Sequence, residues 1–303
     1  MTLNWNTYTN STEKERQEQL GLMAKKAAKD FLRFNLLLDM LAYHGETAVL
    51  SQLVQNAWPQ IKNSAILSDW QKQAFTTQAA DSIIFHHIQS TPNPTAQLQK
   101  QLAQFYEIND QQLAHYLTAL TQGSGHKWKL IHFHIDDPTP ETNQQASQNI
   151  AVLMIDFLAY LYQHENVPLT RGNIVRHDLP VYFVERRTGQ LEPRQDLSAV
   201  MRGERPRPII RSKPHPLCPD KVTLEKFFAN QLNYQPQPYQ VAATFTLIPA
   251  WLRFLQMRQL IDGEQREKTL TECQPMVADL QKYFANSIDD STLETAVTRW
   301  SDN

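Results

Sequence analysis

The sequence predicts a mostly α protein: a multi-helix bundle or short α-solenoid with one small β element and a proline- and arginine-rich arm. Three observations carry that expectation. The stretch Asn149 to Tyr162, N-I-A-V-L-M-I-D-F-L-A-Y-L-Y, is apolar on nearly every helical face, so other protein must surround it. Only 8 glycines occur in 303 residues, against a usual frequency of about 7%, which leaves little capacity for tight hairpins or phosphate-cradling loops. Elsewhere apolar residues recur at the three- and four-residue spacing of amphipathic helices through most of the chain.

Taken in order, residues 1–10 read as a loose tail. The pair Thr12 and Glu15 forms a capping box, and a helical pattern then runs through Phe31, Phe34, Leu37, Leu38 and Leu41 to a stop at Gly45. Leu50, Leu53, Val54, Ala57 and Trp58 mark a second helix, ended by Pro59. A third covers 67–88 with Trp70, Phe75, Ile83, Ile84 and Phe85 on its apolar positions. After the break Thr91-Pro92-Asn93-Pro94, helices follow at 95–106 and 110–121, the latter capped by Asn109. Lys127 to Ile135, K-W-K-L-I-H-F-H-I, alternates as a strand does. Thr139 and Pro140 then open the central buried helix, 140–164, in the favoured cap-then-proline order. The N-terminal helical region spans 11–168.

Residues 169–220 form the basic arm, with seven prolines from Pro180 to Pro219 and a short hairpin suggested by Val181 to Val184 and the Thr188-Gly189 turn. The C-terminal helical region, 221–303, packs with the first as one body. Its helices cover 221–232, 239–262 with a kink at Pro249, 264–285 with a break at Pro275, and 291–301 with Ser291 and Glu294 as a capping box. The stretch from Leu37 to Pro59 resembles a tetratricopeptide unit. Gly45, Leu50, Val54 and Ala57 fall at the spacings of that motif's glycine, alanine, phenylalanine and alanine, although Leu50 and Val54 depart from its residue types. The similarity covers one unit of about 34 residues and identifies no family; the repeat reading rests on helix pairs with stacked apolar faces, the usual make-up of repeat scaffolds.

Composition narrows the function classes. Hydrophobic residues at 41% and charged residues at 20% describe a folded, soluble chain, and a net charge of −2 gives no global attraction to nucleic acid or anionic membrane. Two cysteines, Cys218 and Cys273, are too few for a disulfide framework. No apolar run reaches the roughly 20 residues that span a bilayer, and the first residues lack a signal-peptide pattern, so a cytoplasmic protein is expected.

Two segments echo each other: L-L-L-D-M-L-A-Y (36–43) and L-M-I-D-F-L-A-Y (153–160), each with Asp and Tyr four apart on one helical face; Asp81-Ser-Ile-Ile-Phe85 is a weaker third. Structurally, these are buried carboxylates satisfied by Arg, His or Tyr. Functionally, Asp39, Asp81 and Asp156 could converge between helices as a catalytic or metal-binding carboxylate site. His132 and His134 would share a strand face and could ligate a metal. His177-Asp178 stands, on this reading, in the arm and not on a helix. Cys218 is a packed thiol before it is a nucleophile.

The arm holds ten basic residues against five acidic ones over 171–219. Arg186, Arg187, Arg202, Arg205, Arg207 and Arg211 are its candidate partner- or anion-binding residues, since arginine suits bidentate contact with carboxylate or phosphate. The same charge could instead bind the arm to the acidic helical body. The expected function is a non-enzymatic interaction or assembly protein that needs no cofactor. It would bind a protein partner through helical faces and the arm. The alternatives are an all-α enzyme built on the three aspartates, and RNA or nucleotide binding through the arm.

Overall fold

The computed structural model describes residues 4–91, 93–134, 139–192, 215–233 and 236–300, and among them every regular element is a helix. In chain order these are α1 (Trp5–Asn10), α2 (Glu13–Lys26), α3 (Phe31–Tyr43), α4 (Thr47–Lys62), α5 (Asp69–Ser90), α6 (Ala96–Leu102) and α7 (Asp110–Gln122). A single 3-10 turn (Leu130–His132) precedes α8 (Pro140–His164) and α9 (Leu169–Arg187). Then come α10 (Lys221–Asn233), α11 (Pro238–Thr246), α12 (Ile248–Met257), α13 (Gly263–Cys273), α14 (Met276–Ser287) and α15 (Ser291–Thr298). None of them is long and apolar enough to cross a membrane.

Local chemistry sets most boundaries. Thr12–Glu15, Ser68–Gln71, Asn109–Gln112 and Thr139–Thr142 close reciprocal capping boxes that satisfy the first free amides of α2, α5, α7 and α8. At the end of α3, Gly45 takes φ +75°. There the Glu46 amide bonds the Leu41 carbonyl and the Gly45 amide bonds that of Ala42, a Schellman ending.

The helices enclose one hydrophobic core, and α8 lies deep in it from Leu153 to Leu161, against α7 and α9. Gly172 lets α9 approach closely, since a Cβ there would stand 2.5 Å from Leu158 Cδ1. A shorter element is more completely enclosed. Every residue of α11 except Gln240 is buried, and the helix packs on α3, α9, α10, α12 and α15.

Several expectations are corrected. Residues 5–10 are not a loose tail: they form α1, capped by Asn4. The helical run from Thr12 to Gly45 is two helices, interrupted at 27–30. Pro59 sits inside α4, close enough to its end that the helix runs on to Lys62 around fully buried Ile61. Trp70 stands 77% exposed beside the Ser68 cap.

Residues 127–134 form no strand. An extended run needs a neighbouring strand for its amides and carbonyls. Here Trp128 is drawn onto Asp156, and the His132 carbonyl accepts from Asn149 instead. The expected hairpin at 181–189 is the end of α9, which continues through Pro180 because Tyr182 and Phe183 are both buried. One proline costs a helix a single backbone bond plus strain, which that burial offsets. The helix expected at 239–262 is two, parted at Leu247, with Pro249 in the first turn of α12. Helix α15 is capped by Asp290, not Ser291. The arm's residues 193–214 lie outside the described residues.

Candidate functional site

The three echoing aspartates do not share a site; each has its own partners. Asp156, on α8, accepts from the Ser124 amide, from Ser124 Oγ at 3.0 Å and from Trp128 Nε1 at 2.6 Å. Gly123, at φ +87°, permits that turn, because a Cβ there would meet Asp156 Oδ1 at 3.0 Å. Asp81, on α5, is bonded to the Arg176 guanidinium and to Tyr116 Oη at 2.9 Å, with His177 Nε2 3.5 Å away. Burial pushes the Asp81 carboxyl up, but Arg176, His177 and Tyr116 outweigh it and leave it below the usual range.

Asp39 is different. The charge of Asp178, on α9, bears on it, and α11 donates to both. Gln240 Nε2 donates to Asp39 at 3.0 Å, and Thr244 Oγ1 donates to Asp178 at 2.6 Å. Gln240 and Thr244 stand four apart, on one face of α11, so one helix reaches carboxylates from two others. Gln231 of α10 donates a further bond to Asp178, while its own Oε1 is buried without a partner among the described residues.

Asp39 is 8% exposed and Asp178 7%. No lysine, arginine or histidine among the described residues is paired with either. Burial raises Asp39 to about 7; Gln240 opposes that shift and the charge of Asp178 adds to it. Burial likewise raises Asp178 to about 7, against the pull of Thr244 and Gln231. Two carboxyls in low dielectric with only neutral donors are held toward their protonated form, or would be ionised by a cation brought to them.

The remaining candidates fall elsewhere. His177-Asp178 lies on α9, not in an extended arm. Its two side chains part, one toward Asp81 and one toward α11. His132 accepts at Nδ1 from the Lys129 amide, on a 3-10 turn that gives His132 and His134 no common strand face. No three His, Cys, Asp or Glu side chains among the described residues are grouped to hold a metal ion.

Arg186, expected on a binding surface, is turned inward and donates to the carbonyls of Cys218, His215 and Pro216. Arg187 donates to Ser147 Oγ and the Asn143 carbonyl of α8. Arg202, Arg205, Arg207 and Arg211 lie outside the described residues. Cys218 is buried and its thiol is pushed up to about 11, which suits packing and not attack.

Asp39 was legible in the sequence and Asp178 was noted, but not as its partner, because 139 positions of the chain separate them. A usable signal was present in Gln240-Val-Ala-Ala-Thr244, two polar side chains on one face of an otherwise apolar helix. The chain matches no protein-family model, no curated protein and no solved structure.

Proposed function

We propose that this chain is a non-enzymatic helical binding protein whose recognition seat is the Asp39–Asp178 pair. The seat would receive a cationic group, the ammonium or guanidinium of a basic segment on a protein partner. One observation carries the reading: two buried carboxylates meet α11 with neutral donors alone, beside the unpartnered Gln231 Oε1. A guanidinium would supply the missing positive charge and several donors at once. The test is isothermal titration at low ionic strength with an arginine-rich peptide and with methylguanidinium. Saturable binding is expected for the native chain and loss of it for Asp39→Asn and Asp178→Asn. Equal binding by those variants, with native circular dichroism, would remove the seat from the account.

A second reading, acid–base catalysis by the same pair, is favoured by burial, which raises both carboxyls to about 7, where a group can both give and take a proton. The inward engagement of Arg186 and Arg187 leaves nucleic-acid binding without support from those two residues.

A further inference from the structure

The N-terminal helix does more than cover the core. Trp5 lies flat on the His44 imidazole, with 3.4 Å between ring centroids and 3° between planes. His44 Nε2 is 2.8 Å from Asp290 Oδ2, and Asp290 is fully buried. The other oxygen of Asp290 accepts from the Thr292 amide and hydroxyl at the start of α15. Beside α1, Asn4 and Asn6 donate to Asp289 at 2.6 and 2.7 Å. Thus α1 is tied at one end of the chain to the segment before α15 at the other, with His44 between them.

This lock stands one step from Asp39 and from its donor Gln240, on α3 and α11. Tyr43 and His44 end α3, and Tyr43 lies one turn after Asp39. Tyr239, whose ring meets both Tyr43 and His44, immediately precedes Gln240, the donor to Asp39. The groups facing His44 are Asp290 before α15, Tyr239 on α11 and Tyr43 on α3, with the Arg171 guanidinium of α9 over the Tyr43 ring. Glu46, bonded by Tyr8 Oη at 3.4 Å, stands at the next turn. The end of α3 therefore carries Asp39 and His44, and the start of α11 carries Gln240, the donor to Asp39, beside Tyr239, which meets the His44 ring. Asp39 and Asp178 are nearly closed to solvent, so a guest would reach them only if elements packed around them part.

We propose that α1 is a strap, closed by Trp5 on the His44–Asp290 pair, and that its release opens the Asp39–Asp178 seat. The regulation rests on the seat being the binding site, but its test does not. Carbodiimide labelling of carboxylates, read residue by residue by mass spectrometry, reports access to Asp39 and Asp178 with no ligand present. Amide hydrogen exchange over residues 4–10 reports whether the strap is released.

Trp5→Ala is expected to speed exchange in α1 and to raise labelling of both aspartates several-fold, with labelling of Asp156 unchanged. The variant Asp289→Ala removes the two bonds that Asp289 accepts from Asn4 and Asn6 and leaves the Asn4 cap of α1 in place. It should produce a smaller increase of the same kind and serves if Trp5→Ala fails to fold. A released α1 with Asp39 and Asp178 labelled as in the native chain overturns the gating. Increased labelling without peptide binding would leave the strap and discard the seat.

Discussion

The segments 36–43 and 153–160 carry nearly the same residues, and the fold uses them in opposite ways. Asp156 is met by a tight turn that aims three donors at it, so its carboxylate is a structural anchor for residues 123–128. Asp39 receives one amide donor, and the charge of Asp178 bears on it. The tyrosines differ as well. Tyr160 Oη donates to Glu165 at 2.6 Å, whereas the Tyr43 hydroxyl is buried with no hydrogen-bond partner among the described residues. A motif on one helix therefore fixes which face a carboxylate occupies but not what it does. Its role is decided by the donors that the opposing element supplies.

The contrast is broken most directly at Asp156. Asp156→Ala leaves the Trp128 indole and the Ser124 amide without an acceptor and should cost roughly 2–4 kcal/mol in urea unfolding. A loss under about 0.5 kcal/mol would mean that water replaces the carboxylate there.

Asp39→Asn should act in the other direction. Its folded pKa is raised, so between the unfolded carboxyl value and about 7 the unfolded chain releases a proton that the folded chain keeps. Stability falls as pH rises through that window and stays low above it. Removing the charge should then stabilise the protein by roughly 1–3 kcal/mol at pH 8 and by far less at pH 5. A pH-independent difference between native and variant unfolding would show that Asp39 is ionised freely.

Tyr160→Phe loses a hydrogen bond to a carboxylate that Arg253 also holds, at 2.7 Å, and should cost about 1 kcal/mol. Tyr43→Phe deletes a hydroxyl that is buried without a partner. It should be neutral or stabilising by up to about 1 kcal/mol, read as an equal or higher thermal midpoint. A clear loss of stability in Tyr43→Phe would mean that this hydroxyl is satisfied in solution.

Much of the fold was legible. The helix starts at Thr12, Asn109 and Thr139 follow from residues that satisfy their own amides, and the apolar run of α8 is interior from Leu153 to Leu161. The misread segments are those where a local rule was overruled by burial. Proline within Thr47–Lys62 and Leu169–Arg187 was tolerated because Ile61, Tyr182 and Phe183 are buried beyond or beside it. Alternation at 127–134 produced no strand because the neighbouring groups are side chains of α8. The site was half legible: Asp39 could be named, its partner could not.

The sequence by itself determined that the chain is helical, that Asp39, Asp81 and Asp156 sit on apolar faces, and where most helices begin, because caps and periodicity act within a few residues. Only the tertiary structure decided which carboxylate meets arginine, which meets a turn and which meets only a neutral amide. Those pairings join helices far apart in the chain, and the low dielectric that gives them their chemistry exists only once the helices have packed.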